Sequence, residues 1–284
     1  MKYFEFLEPS TINGAISFFL GYGDKGKVVA GGTDLIVKMR RGDIRPDYLI
    51  NLKGVEGLNY IKYNSILQIG CLTTLNAIKS SPIIKENFSI LSQSAAKIGS
   101  SQVRNIATIG GNICNASPSA DTVPALIILE SMLKIIGPDG ERSIPIEKFF
   151  IGPSETVLNK GEILTSIEIP RQHPNTKAIY IKHSVRRAMD LAIVGVAISI
   201  NIKGGVCEDI KIGLGAVAPT PIRANSAEEI MRGKEINDHL IEMVAEITST
   251  EISPISDIRG SAEYREEMVK VLTKRGLKEL IYGG

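Results

Sequence analysis

Apolar and polar positions in the first fifty residues follow two spacings, one typical of strands and one of helices. Residues 3–7 predict a strand, and apolar residues three or four apart from Ile12 to Leu20 predict a helix that Ser10 or Thr11 can cap. Residues 27–30 predict a second strand, and Leu35, Ile36 and Met39 lie at helical spacing after it. The segment therefore predicts a strand, a glycine turn at 31–34 and a helix.

Strand and helix patterns continue as far as residue 98. Residues 47–51 and 65–70 predict strands, Thr73 or Thr74 is placed to cap a helix ending near 80–82, and residues 90–98 predict another helix. Residues 99–121 are polar and rich in small side chains, yet they lead directly into the apolar run 123–129. Because long segments of this kind in compact domains are usually functional, we expect a functional loop over 99–121.

The pattern changes after residue 163. Residues 163–169 predict a strand, residues 170–176 break it, and strands follow around Ile179, over 191–200 and over 210–217. Helical spacing returns over 236–247 and 264–272. The whole pattern predicts an α+β fold with mixed sheets in two domains and a boundary near residue 172.

Length and charge narrow the class of protein. The 284 residues allow about two domains, and Lys+Arg 33 against Asp+Glu 31 gives a net charge of +2 without the basic stripe that nucleic-acid binding requires. The apolar run 191–200 is about half of the ~20 residues that span a bilayer as a helix. The first ten residues lack the features of a secretory signal, so we expect a cytoplasmic protein without a membrane span.

The potential metal ligands are dispersed. Cys71, Cys114 and Cys207 are far apart and form no CxxC pair, and the three histidines show no HExxH or His-x-His spacing. The cysteines therefore predict small buried thiols. We expect no metal centre built by this chain alone.

Residues 21–26 match the GxGxxG pattern of dinucleotide-binding folds, and Asp43 lies about twenty residues further on, where a ribose-binding acid is found in such folds. That mechanism needs a strand before the glycines and a helix directly after them. Here a helix is predicted before the glycines and a strand after them. The match therefore predicts a glycine-rich connection and no Rossmann site.

Two other glycine pairs have a more suitable context. Gly31-Gly32 lies between a predicted strand and a predicted helix, where backbone N–H groups can approach an anion without interference from a Cβ. Gly110-Gly111 repeats the arrangement about eighty residues later, so the two turns can hold the two phosphates of one pyrophosphate. Asp121 either accepts hydrogen bonds from sugar-like hydroxyls or caps the helix that starts near Val123.

These residues carry a resemblance to a known family. The stretches AGGTDL at 30–35, QVRNIATIGGN at 102–112, ASPSAD at 116–121 and EILTSIEIP at 162–170 resemble the FAD-binding medium subunit of molybdenum hydroxylases. This family includes the CO dehydrogenase medium subunit and the flavin domain of xanthine dehydrogenase. The resemblance covers nearly the whole chain, because residues 257–265 are also similar to the family's C-terminal domain.

The resemblance implies a domain division and a cofactor site. It implies a PCMH-type FAD-binding domain over 1–172, subdivided near residue 57, and a CO dehydrogenase flavoprotein C-terminal-like α+β domain over 173–284. It implies that FAD contacts two pyrophosphate-binding stretches, a sugar-binding carboxylate and flanking residues: Val28, Val29, Ala30, Gly31, Gly32, Thr33, Asp34, Leu35, Ile98, Gly99, Thr108, Ile109, Gly110, Gly111, Asn112, Ser117, Asp121, Leu164, Lys182, Asp190 and Leu191. Taken without the family, Lys182 and Arg186 also fit a solvated charged face.

Two departures from relatives affect the expectation. Some relatives place a tyrosine against the flavin ring after the position of Asp190, where this chain has Leu191, so ring packing becomes aliphatic. Some relatives carry an insertion for an extra [4Fe–4S] cluster. This chain has neither the insertion nor enough cysteines, so we expect no cluster.

The resemblance implies an oxidoreductase subunit without a catalytic acid, base or nucleophile of its own. It implies that the subunit takes electrons from [2Fe–2S] clusters of a small partner and passes them to an external acceptor such as NAD, a quinone or a ferredoxin. A large partner with the molybdenum cofactor completes a heterotrimer and decides the substrate. The alternative is a free-standing FAD-dependent reductase that uses NAD(P)H.

Overall fold

A computed structural model describes residues 2–186 and 188–283. The strands in this part of the chain are β1 (Glu5–Leu7), β2 (Gly26–Val29), β3 (Tyr48–Asn51), β4 (Ile61–Tyr63), β5 (Leu67–Gly70), β6 (Met132–Gly137), β7 (Gly140–Pro145), β8 (Phe150–Gly152), β9 (Glu155–Thr156), β10 (Ile163–Ile169), β11 (Lys177–His183), β12 (Val194–Lys203), β13 (Val206–Gly215) and β14 (Ile222–Arg223). The helices are α1 (Ile12–Tyr22), α2 (Leu35–Arg41), α3 (Leu75–Ser80), α4 (Pro82–Asn87), α5 (Ser89–Ala96), α6 (Ser101–Ile106), α7 (Ile109–Cys114), α8 (Thr122–Ile128), α9 (Asn225–Met231), α10 (Asp238–Thr250) and α11 (Ala262–Tyr282).

The first sheet is parallel, with strand order β1-β3-β2. Neighbouring residues of β3 point to opposite faces: Ile50 joins the main core with helix α1, and Leu49 packs with Met39 of α2. Thr11, one of the two predicted caps, accepts the N–H of Gly14 at 3.1 Å. Because the strands are parallel, the turn after β2 lies at the C-terminal ends of the strands.

The GxGxxG match lies between α1 and β2, as the sequence predicted. Helix α1 ends at Tyr22, a single 3₁₀ turn follows, and β2 begins at Gly26. The glycines therefore connect a helix to a strand and open no α-helix.

The second sheet is antiparallel, with strand order β4-β5-β10-β6-β7. Strand β10 lies at its centre, where Ile167 pairs with Ile69 on one side and with Leu133 on the other. All three side chains are fully buried. The strand predicted over 163–169 has these bounds in the structure.

The prediction of a loop over 99–121 is wrong in part, because the segment contains helices α6 and α7. Each is six residues long and is held by an N-cap: Ser100 Oγ accepts the N–H of Val103 at 3.3 Å, and Thr108 Oγ1 accepts the N–H of Gly111 at 3.1 Å. Helices this short have too few residues to show an apolar period. In α7 the Thr108 cap offsets part of the low helix propensity of Gly110 and Gly111.

The third sheet, β11-β12-β13-β14, is antiparallel, with α9, α10 and α11 on one face. Helix α8 packs on its other face so closely that a Cβ on Gly213 would lie 2.6 Å from the carbonyl oxygen of Pro124. Tyr180 and Ala197 of this sheet belong to the same core as the second sheet. Strand β12 starts later than the predicted run 191–200. Strand β13 starts earlier than the predicted run 210–217.

Among the helices of the described residues, none is long and apolar enough to cross a membrane.

Candidate functional site

A cavity of about 1000 Å³ lies between the first sheet, helices α6 and α7, strand β10 and residues 189–191. This volume is at the upper end for ligand sites, which favours a large ligand. All but two of the predicted site residues line it, namely Val28, Val29, Ala30, Gly31, Gly32, Thr33, Asp34, Leu35, Ile98, Gly99, Thr108, Gly110, Gly111, Asn112, Ser117, Asp121, Leu164, Asp190 and Leu191. Ile109 and Lys182 lie behind its wall.

The turn between β2 and α2, residues 30–34, offers free backbone donors. Hydrogen bonds within residues 2–186 and 188–283 leave the N–H groups of Gly31, Gly32, Thr33 and Asp34 without a protein acceptor. Gly32 has a φ of +73°, a conformation that favours glycine. A Cβ on Gly31 would lie 2.9 Å from Ala107 Cα, so the turn packs directly against the backbone that precedes α7. Free N–H groups at the cavity wall suit an anion.

The second glycine turn, residues 108–112, has a different role from the one expected. The N–H groups of Ile109 and Gly110 donate to the carbonyl oxygens of Thr73 at 3.0 Å and Cys71 at 2.9 Å, and the N–H of Gly111 is used by Thr108. The expectation that both turns offer free N–H groups is therefore wrong for this turn. Its Ile109 side chain is fully buried in the core.

Gly111 leaves an open path from the second turn to the first. A Cβ there would meet Thr108 Oγ1 at 3.0 Å and Ala30 Cβ at 3.9 Å, and both neighbours line the cavity. Gly110 is different, because a Cβ would lie 2.6 Å from Cys71 Cβ. In the second turn, Gly111 thus leaves space next to Ala30 of the first turn, and Gly110 packs tightly against Cys71.

Asp121 occupies the N-cap position of α8, but its side chain does not cap the helix. Its Oδ1 accepts the hydroxyl of Tyr180 at 2.8 Å, and its Oδ2 accepts Lys182 Nζ at 2.8 Å. Burial raises the pKa of Asp121 above its ordinary value, against the opposing effect of Lys182. The pKa of the Tyr180 hydroxyl is also raised, because the residue is buried and faces this carboxyl group.

Tyr180 supports the site through Asp121 without lining the cavity, and the sequence analysis missed it. It lies two positions before Lys182 on β11, and residues two apart on a strand share a face. If the Lys182 side chain points toward Asp121, then the side chain of residue 180 is expected to point toward Asp121 as well.

Asp190 and Leu191 reach the cavity, whereas Arg186 does not. The Arg186 side chain is 69% exposed and lies 3.7 Å from Asp190 Oδ1, which fits the solvated face considered as its alternative. The backbone N–H of Arg186 donates to Asp190 Oδ2 at 2.9 Å and holds the pKa of that carboxyl below its usual range. Leu191 is 48% exposed at the cavity wall.

Several other lining residues were not predicted. Lys38 of α2 lines the cavity and donates to Asn115 Oδ1 at 2.9 Å. Cys71 and Cys114 also line it, and burial raises the pKa of the Cys114 thiol to about 12, which makes it a poor nucleophile. The described residues contain no group of three or more His, Cys, Asp or Glu side chains suited to a metal ion.

The chain matches two family models. The model for the FAD-binding domain in molybdopterin dehydrogenase matches residues 2–172, and the model for the CO dehydrogenase flavoprotein C-terminal domain matches residues 179–280. The chain belongs to this family of FAD-binding subunits. The resemblance is confirmed, and the chain is an oxidoreductase subunit of the CO and xanthine dehydrogenase type with FAD as its cofactor.

Individual relatives agree over nearly the full length. The chain is 38% identical to the glyceraldehyde dehydrogenase medium chain of Sulfolobus acidocaldarius, over 98% of both chains. It is 31% identical to the xanthine dehydrogenase FAD-binding subunit of Escherichia coli O157:H7, over 90% of this chain and 88% of that one. A solved structure of the CO dehydrogenase from Hydrogenophaga pseudoflava matches with a TM-score of 0.96 and 31% identity, covering 98% of this chain and 97% of that chain. The expected α+β fold is confirmed.

Proposed function

We propose that this chain is the electron-transfer subunit of a molybdenum hydroxylase complex. In this proposal it takes electrons from [2Fe–2S] clusters on a small partner subunit and passes them to an external acceptor. A large partner carries the molybdenum cofactor and selects the substrate. The carrying observation is the cavity between two glycine turns that approach each other across Gly111 and Ala30.

The residues around the cavity fit FAD. The free N–H groups of the turn 30–34 suit the pyrophosphate, and Gly111 lets it approach the second turn without a side chain in between. Asp121 is buried beside the cavity with acceptor capacity left for sugar-like hydroxyls. We propose that the lining residues predicted from the family make these contacts, with Leu191 providing an aliphatic surface for the ring.

The chain's own contribution is to bind and orient the cofactor. Bound FAD supplies the redox chemistry, and the protein supplies position and electrostatics. The thiols that line the cavity are suppressed as nucleophiles by burial. Three free cysteines, two of them buried, are in keeping with a reducing compartment, and we propose a cytoplasmic location.

The proposed pyrophosphate position is tested at Gly111. In Gly111→Trp the indole would occupy the space between the two turns, so we expect the chain to lose most of its FAD after reconstitution and desalting. Gly21→Trp is the matched control, because Gly21 does not line the cavity and nothing lies within 4 Å of a Cβ there. Chromatography of heat-released flavin measures FAD per chain, about one in the wild type, and circular dichroism checks folding. Equal FAD content in a folded Gly111→Trp chain would refute the site.

A further inference from the structure

The ammonium group of Lys182 has no hydrogen left for a ligand. Its Nζ donates to Asp121 Oδ2 at 2.8 Å, to the carbonyl oxygen of Asp190 at 2.8 Å and to the carbonyl oxygen of Lys97 at 3.1 Å. A lysine ammonium has three donors, so all of them are used within the protein. The side chain is 7% exposed, and the residue does not line the cavity.

Each of the three acceptors belongs to a different part of the cavity wall. Lys97 directly precedes Ile98 and Gly99, which line the cavity, and Asp121 and Asp190 line it themselves. These segments are far apart in sequence and come from the end of α5, the start of α8 and the connection from β11 to β12. Lys182 therefore joins three walls of one site from behind.

The wall formed by residues 188–191 depends on polar contacts. The Asp190 carboxylate accepts the N–H groups of Arg186 at 2.9 Å and Leu191 at 3.0 Å, and so closes the segment on itself. Met189 has a φ of +55°, a conformation that persists only where the surroundings fix it. The side chains of Met189 and Leu191 are 65% and 48% exposed, so burial contributes little to holding them.

We propose that Lys182 is a positioning residue: through the Asp190 carbonyl it holds the 188–191 segment, and thereby Leu191, in place at the cavity. The inference rests on the proposed function, because it assumes that the flavin lies against this wall. It replaces the direct contact between Lys182 and FAD that the family resemblance implied. The ammonium acts through Asp190, and the ligand meets Leu191.

The test uses hydrogen exchange in the full-length chain without FAD. Lys182→Met alone would leave the Asp121 carboxylate buried without its counter-charge, and Asp121→Asn alone would do the same to the Lys182 ammonium. Exchange is therefore compared among the wild type, Asp121→Asn, and Asp121→Asn with Lys182→Met, since Asn keeps an acceptor for the Tyr180 hydroxyl. We expect amides in 184–193 to exchange roughly tenfold faster in the double variant, because loss of a charge-assisted hydrogen bond eases local opening. Lys177→Met is the matched control, because Lys177 lies on the same strand and donates to the carbonyl of Leu280, away from the cavity.

A second readout separates positioning from contact. All variants in this experiment carry Asp121→Asn. The effect of Lys182→Met on FAD affinity is measured once with Leu191 present and once with Leu191→Gly. If Lys182 acts through the segment, its effect on the FAD dissociation constant shrinks several-fold once Leu191 is removed. Unchanged exchange over 184–193 would overturn the inference. So would an effect of Lys182→Met on FAD affinity that is as large with Leu191→Gly as with Leu191. Failure of the proposed FAD site is visible separately, as the absence of FAD-induced protection over 28–35 in the wild type.

Discussion

Glycines around the cavity serve two different physical purposes. Gly31 and Gly110 are required because neighbouring backbone or Cys71 occupies the place of a Cβ, whereas Gly111 keeps a path between the two turns free. The sequence predicted that both glycine pairs belong to one site. It did not predict this division, because the atoms that exclude a side chain come from Ile106, Ala107 and Cys71, and their approach depends on tertiary packing.

The space around each glycine predicts different effects on stability for two alanine substitutions. Gly110→Ala should lower the free energy of unfolding by about 2 kcal/mol, because its Cβ would lie 2.6 Å from Cys71 Cβ and 2.8 Å from the Cys71 carbonyl oxygen. Gly21→Ala in α1 should leave stability unchanged or raise it by about 0.5–1 kcal/mol, because nothing lies within 4 Å of the new methyl group. Urea unfolding of the apoprotein measures both. Equal effects would show that Gly110 is not packed as described.

At the scale of elements, long periodic segments were predictable and short ones were not. Strand β10 and helices α1 and α10 follow from the apolar pattern, whereas β6 and β7 were not predicted at all. Helices α6 and α7 are too short for their period to be read, and their caps are meaningful only once the helix is known. Of the elements around the cavity, the short helices α6 and α7 are thus the ones that sequence patterns describe least well, whereas β10 has its predicted bounds.

An ion pair ties the edge strand β7 to the start of β10. Arg142 donates through Nε to Glu162 Oε1 at 2.6 Å and through Nη2 to Glu162 Oε2 at 2.8 Å. The hydrogen bond from Arg142 holds the pKa of the Glu162 carboxyl below its usual range. Because the folded pKa is lowered, this stabilisation is present above about pH 4.5 and is lost as the pH falls through the folded value.

Removal of the Glu162 charge should therefore lower the free energy of unfolding at neutral pH and leave it unchanged in acid. We expect Glu162→Gln to lower the free energy of unfolding by about 1 kcal/mol near pH 7, a value reduced by solvent screening because Arg142 is 37% exposed. The difference from the wild type should shrink as the pH approaches about 3. Glu246→Gln is the control, since Glu246 also pairs with a cation, Lys270, but its side chain is 61% exposed. A constant difference across this range, measured by urea unfolding, would contradict the pH argument.

At the scale of the whole molecule, the cavity is built from both regions matched by the family models. The two glycine turns lie within 2–172, whereas Leu191, which lines the cavity, and Tyr180 and Lys182, which lie behind its wall, come from the region that begins with β11. Of the site residues implied by the family resemblance, all but Ile109 and Lys182 line the cavity, but the resemblance did not point to other lining residues such as Lys38 and Cys71. It could not show that Lys182 lies behind the wall, because its three acceptors are distant in sequence and their convergence depends on the complete fold. The division at residue 172 remains a prediction.

The most direct test of the account is to measure which reductant supplies electrons to the bound flavin. The chain is loaded with FAD, mixed in separate experiments with a chemically reduced [2Fe–2S] partner subunit and with NADH at equal concentration, and followed by flavin absorbance. An electron-transfer subunit predicts that the reduced partner bleaches the flavin, whether or not NADH also does so. Rapid bleaching by NADH, together with no reaction with the reduced partner, would contradict the account and support a free-standing reductase.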